Sequence, residues 1–131
     1  MRAMLFNNKK VKEIIEKEPE NNSILLTLGQ VYDQLHVKSK EDGKVEDADK
    51  YFEGSLKYYK MALISDESNF DVNYALGALY YNKAAGYTNA LNDAANDFSA
   101  AGTKKYDEIK SDMNENFNIA LPYFLKADEA N

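Results

Sequence analysis

The sequence predicts an all-α protein made of antiparallel helical hairpins, on three observations. Apolar residues recur at spacings of three and four over most of the chain. Two prolines and six glycines in 131 residues leave room for long helices and few turns. The motif L-G-x-x-Y occurs twice in such a pattern, as Leu28-Gly29 with Tyr32 and as Leu76-Gly77 with Tyr80, which points to an internal repeat. Glycine in a helix costs about 1 kcal/mol of propensity, so packing against its bare backbone has to offset that.

Residues 5–18 carry an apolar stripe of Leu5, Val11, Ile14 and Ile15, and Pro19 ends it. A later start after Asn7 or Asn8 leaves a short helix over 9–18. Asn22 or Ser23 caps the second helix. Leu25, Leu28, Val31, Tyr32 and Leu35 carry it toward Ser39. Glu41-Asp42-Gly43-Lys44 is the turn, with Gly43 suited to a left-handed backbone. A third helix follows over about 46–64, with Ala48, Phe52, Ser55, Tyr59 and Ala62 on one face.

Ser65 to Asn69 is a polar joint in which Ser68 and Asp71 resemble a capping box. The fourth helix is predicted from 70 to about 97, along a seam of Tyr80, Ala84, Tyr87, Leu91, Ala94 and Phe98. Gly86 is its weak point. Ser99 to Thr103 is the next turn. A fifth helix runs over about 104–130 through Tyr106, Ile109, Met113, Phe117, Ala120, Phe124 and Ala127. Pro122 lies inside it and predicts a kink over 118–122, because proline cannot donate to Asn118.

Both hairpins resemble the tetratricopeptide repeat, a 34-residue helix–turn–helix with the pattern W-x2-L-G-x2-Y, then a small residue, an aromatic, an Ala and a Pro. The first copy has Leu25 in the Trp slot, then Leu28, Gly29, Tyr32, Ser55, Tyr59 and Ala62, with Glu67 in place of the Pro. The second has Asn73 in the Trp slot, then Leu76, Gly77, Tyr80, Ala120, Phe124 and Ala127. Val11, Ile14 and Pro19 look like the second half of a further copy.

From the Ala slot to the next Leu slot the family pattern spans about 14 residues; here Ile14 to Leu28 and Ala62 to Leu76 each span 14. Within the repeats the spacing departs. The family places about nine residues between its Tyr and the next small residue. Here Tyr32 to Ser55 is 23 and Tyr80 to Ala120 is 40. Lengthened helix arms absorb the excess, since the added segments keep their apolar seams. The resemblance therefore implies one domain over 1–131, an antiparallel helix-hairpin solenoid of about five helices. It comprises a half repeat (5–18), a first repeat (22–64) and a second repeat with an unusually long hairpin (70–130).

Composition narrows the function. The formal charge of −6 argues against nucleic acid and anionic membrane as partners. No apolar run approaches the roughly 18 residues of a spanning helix. Cysteine is absent, which removes thiolate nucleophiles and thiolate metal sites. The single histidine, His36, has no second His one turn away, so a solvated or half-packed ring is expected and no metal site. Aligning Gly43 with the glycine of a calcium loop puts Lys38 and Lys40 where carboxylates are required. Asp93, Asp97, Asp107, Asp112 and Glu115 are interspersed with Lys104, Lys105 and Lys110, as on a solvated helix surface. Asn21-Asn22-Ser23 is formally a glycosylation sequon and equally an ordinary cap sequence. There is no Gly-rich phosphate loop and no nucleophile-plus-base pattern, so no catalytic residue and no cofactor is expected. A cytoplasmic location is the default, and export with a removed leader is the alternative.

In the resembled family the first helices of successive repeats line a groove that holds peptides or partner helices. Carrying those slots over gives Leu26, Gln30, Asp33 and Gln34 from the first copy, and Tyr74, Ala78, Tyr81 and Asn82 from the second. None is basic, which argues against a clamp for a C-terminal carboxylate and for a neutral or basic peptide with apolar anchors. The expected partner is a protein or peptide. The alternatives are self-association through the long hairpin, and a segment of a larger repeat protein whose groove its own chain fills.

Overall fold

A computed structural model describes residues 13, 16, 17 and 21–130. Of the opening helix expected over 5–18, only Glu13, Glu16 and Lys17 are described; they are helical and exposed, and the rest lies outside the described residues. The protein is all-α, with α1 Asn22–Glu41, α2 Val45–Ser65, α3 Phe70–Ala85, α4 Thr88–Ala95 and α5 Ala100–Ala130. The chain divides into two compact units, Met1–Val72 and Asn73–Asn131.

In the first unit α1 and α2 form an antiparallel hairpin. Its entry cap is Asn21, one residue before the expected position: its side-chain oxygen accepts the Ile24 N–H at 3.2 Å. Asn22 is already helical, and its side chain accepts the Ser65 hydroxyl at 2.9 Å, tying the start of α1 to the end of α2. At the other end Gly43 takes φ +74, the left-handed conformation the turn requires. The Lys44 N–H reaches back to the Ser39 carbonyl at 2.8 Å. Leu25, Leu28 and Gly29 on α1 are buried, as are Ala48, Phe52, Ser55, Tyr58, Tyr59 and Ala62 on α2. Burying each large side chain here contributes about 1.5–3 kcal/mol.

His36 departs from expectation. It is buried, because its i, i+3, i+4 neighbours turn this face of α1 onto α2. Its Nδ1 lies 2.8 Å from the Ala48 carbonyl, and a carbonyl only accepts, so Nδ1 carries the proton. The ring edge meets Phe52 at 5.4 Å between centroids.

The cap of α3 is Asn69, whose side-chain oxygen accepts the Val72 N–H at 3.0 Å; Ser68 does not hold that place. The expected single helix over 70–97 is instead two, α3 and α4, separated at Gly86 and Tyr87. The Tyr87 N–H bonds the Ala84 carbonyl, three residues back rather than four, which tightens the chain. The Thr88 hydroxyl donates to the Ala85 carbonyl at 2.8 Å, and Leu91 to Tyr87 restarts the ladder.

Within the second unit, α4 and the first part of α5 form the outer portion of a hairpin. Helix α5 begins at Ala100, earlier than the expected 104, because the Ser99 hydroxyl accepts the Gly102 N–H at 3.1 Å and caps it. The helix then runs unbroken through Pro122 to Ala130. Proline deprives Asn118 of one donor without ending the helix, and Ala120 and Ala127 on either side of it are buried. The seam expected on α4 holds at Ala94 but not at Phe98, which stands 92% exposed. The helix stops at Ala95, so its periodicity no longer dictates where residue 98 points.

Candidate interaction face

The two hairpins are closed by the same contacts in the same register. On α1, a Cβ at Gly29 would fall inside the ring of Tyr59 from α2. On α3, a Cβ at Gly77 would come within 2.7 Å of the ring of Phe124 from α5. Each aromatic is preceded by a tyrosine that stacks on the tyrosine following the glycine. Tyr58 lies over Tyr32 at 5.5 Å and 19°, and Tyr123 over Tyr80 at 6.2 Å and 6°. One turn before each aromatic is a small buried residue, Ser55 or Ala120; Ala62 and Ala127 repeat the pattern after it. Ser55 adds a bond of its own, donating its hydroxyl to the Gly29 carbonyl at 2.8 Å. Gly29 to Tyr59 spans 30 residues and Gly77 to Phe124 spans 47, so unequal excursions return to one contact pattern.

In the first unit the residues named as groove candidates lie along one side of α1. Leu26 and Asp33 are half-buried, Gln30 and Gln34 exposed. Burial raises the Asp33 carboxyl above its ordinary value, and nearby His36 pulls the other way. The same environment acts on Tyr59, whose hydroxyl is pushed up to about 12 by burial first and by the Asp33 charge second. Asp33 therefore belongs in part to the hairpin's interior electrostatics as well as to its surface.

In the second unit Tyr74, Ala78 and Tyr81 follow one another at helical spacing on α3, with Asn82 beside them and exposed. Tyr74 is 54% and Tyr81 50% exposed, yet neither ring stands free. Tyr74 meets Phe124 edge-on at 5.7 Å, and Tyr81 meets Phe117 at 5.2 Å and Phe124 at 6.4 Å. These contacts hold each ring in place while both residues keep about half of their surface in solvent. Leu121 and Leu125 of α5 add exposed apolar surface, at 54% and 55%. Phe117, Phe124, Leu121 and Leu125 were not among the sequence candidates. Leu121 and Leu125, four apart and off the α5 seam, were the available signal.

The α3 side of the second unit offers aromatic surfaces and an amide, and the α1 side of the first unit offers amides and a carboxylate, groups that suit stacking and hydrogen bonding. Among the described residues no three His, Cys, Asp or Glu side chains gather where they could hold a metal ion. No helix of the described residues is long and apolar enough to cross a membrane. No protein-family model matches the chain, and no curated protein or solved structure is significantly similar to it.

Proposed function

We propose that this chain is a non-catalytic protein–protein interaction module of the tetratricopeptide kind, taking a peptide or a partner helix on the exposed side of its first helices. The observation that carries the reading is the pair Tyr74 and Tyr81, half exposed but held by Phe117 and Phe124. Aromatic rings ordered before binding lose little conformational entropy on contact, which is why such residues dominate interfaces. The repeated Gly–aromatic and Tyr–Tyr contacts support the repeat reading. On that reading Leu26, Gln30, Asp33 and Gln34 are the corresponding candidates on α1, with amides and one acid. An acidic chain of net charge −6 favours a neutral or basic ligand with apolar anchors.

The test is a peptide array probed with the wild-type chain and with Tyr74→Ala and Tyr81→Ala variants. Each substitution is expected to weaken captured peptides by about tenfold or more, since interface aromatics contribute about 2 kcal/mol or more. If every interaction survives both substitutions, the face is assigned wrongly.

A further inference from the structure

Four of the ten large apolar side chains that stand exposed among the described residues belong to one seam of the second unit: Tyr74 and Tyr81 of α3, and Leu121 and Leu125 of α5. The seam is continuous. Phe124 meets both tyrosine rings, and Phe117 meets Tyr81. Leu121 lies one turn from each of those phenylalanines on the same side of α5, and Leu125 lies one turn past Leu121. Half of two tyrosines and two leucines amounts to on the order of 400 Å² of apolar surface, the size at which a contiguous patch is often functional.

Three features bear on what covers it. The first is the scarcity of backbone partners. An extended peptide laid here would bury N–H and C=O groups at every residue, and each needs a partner. The seam offers rings and leucines, with Asn82 and Asn118 only at its margins. A helix bonds its own backbone internally and brings only side chains to the contact. The second feature is spacing. Tyr74, Ala78 and Tyr81 run 4 and 3 apart on α3, and Phe117, Leu121, Phe124 and Asp128 run 4, 3 and 4 apart on α5. The small Ala78 lowers the surface between two rings, where a ridge of side chains from another helix seats. The third is charge. Asp128 continues the α5 stripe one turn beyond Phe124; it is exposed and forms no ion pair among the described residues. A Lys or Arg complements that end of the seam, in a chain of net charge −6.

We propose that the α3–α5 seam takes one amphipathic helix of a partner protein, with apolar anchors at i, i+3, i+4 and i+7 and a Lys or Arg at the end that lies over Asp128. This rests on the interaction role proposed above; it chooses the helix over the extended peptide and adds Leu121, Leu125 and Asp128 to the contacts. Tyr74 to Tyr81 covers about 10 Å along α3, so about three turns of partner helix span the seam.

The probe is a labelled synthetic peptide of about 16 residues with Leu at i, i+3, i+4 and i+7, polar elsewhere, and Lys at one end. Fluorescence anisotropy against the full chain, up to about 1 mM, reads its binding. The peptide should bind saturably and gain helical circular dichroism as it does. A peptide of the same composition with its Leu at alternate positions should bind at least about tenfold more weakly. Leu121→Gln and Leu125→Gln should each weaken the helical peptide about tenfold and leave the thermal midpoint near that of the wild type, since both side chains stand half exposed and Gln is a good helix former. Asp128→Lys should weaken it as well, and a peptide with Glu in place of the terminal Lys should recover the loss. No saturable binding overturns the proposal, and so does equal binding of the alternating peptide. Indifference to both leucine substitutions overturns it too; if Tyr74→Ala and Tyr81→Ala still abolish capture on the array, the interaction role stands without this occupant. A homodimer in sedimentation that Leu121→Gln dissociates, and that excludes the peptide, assigns the seam to a second copy and overturns the partner helix.

Discussion

The ring of Tyr59 occupies the space that a side chain at Gly29 would need. Tyr59 is 1% exposed and cannot swing away. Gly29→Ala should therefore destabilise the chain by about 1–3 kcal/mol despite a gain of about 1 kcal/mol in helix propensity. Gly77→Ala meets Phe124, which is only half-buried and has room to yield, so its cost should be smaller. Urea denaturation of both variants checks the order. Combining Gly29→Ala with Tyr59→Leu should recover part of the loss, and strict additivity would show that the ring is not the cause.

Capping gives a second comparison. Asn69 holds the first turn of α3 through the Val72 N–H. Asn69→Ala should cost about 1 kcal/mol, and Ser68→Ala should lie within about 0.5 kcal/mol of the wild type. Equal losses from the two would mean that the cap is shared.

His36 should tolerate replacement poorly. His36→Ala removes the hydrogen bond to the Ala48 carbonyl and the edge contact with Phe52, and it opens space in the first hairpin. A loss of about 2–4 kcal/mol in thermal or urea unfolding is expected. A neutral outcome would place the ring at the surface.

Stability should depend on pH through two acids of the first unit. Burial raises Asp33 above 3.8 and Tyr59 from 10.0 to about 12. When the folded value is the higher one, the unfolded chain releases its proton first. The stabilising effect is then whole below the unfolded value and is lost as pH rises through the folded one. For Tyr59 that window runs from about pH 10 to about pH 12. Tyr59→Phe should show a shallower alkaline decline than the wild type, with the raised Tyr58 contributing what remains. For Asp33 the loss begins just above pH 3.8, so Asp33→Asn should be more stable than the wild type near neutrality. A less stable Asn variant would mean that an interaction of the carboxylate outweighs its burial.

The exposed tyrosines should behave in the opposite way to the glycines. Tyr74→Ala and Tyr81→Ala each give up ring contacts of about 0.5–1.5 kcal/mol. Thermal midpoints should fall by a few degrees at most, while peptide capture falls further. Unfolding of either variant would assign the ring to the core.

The spacing of apolar residues was enough to find the helices, since a buried stripe must recur once per turn whatever it packs against. The repeated L-G-x-x-Y motif matched Gly29 with Gly77, and the resemblance to the tetratricopeptide pattern matched Tyr59 with Phe124. The ends were harder to place. Asn21 and Asn69 were each one residue away from an equally good cap, and local chemistry does not distinguish neighbours of similar type. The division at Gly86 was legible only as a weakness. Whether a glycine breaks a helix depends on what the Thr88 hydroxyl and the Tyr87 N–H find nearby.

By itself the sequence determined an all-α protein, because helical period is a local property of the chain, and the ring that packs over each glycine came only from the structure. Only the tertiary structure decided which apolar residues remain outside. Phe98 lies on the helical seam by count, yet it faces solvent because the helix ends before reaching it. Tyr74 and Tyr81 stay half open while Phe124 meets both rings and Phe117 meets Tyr81. Exposure depends on what lies across the packing surface, and residues distant in sequence supply that.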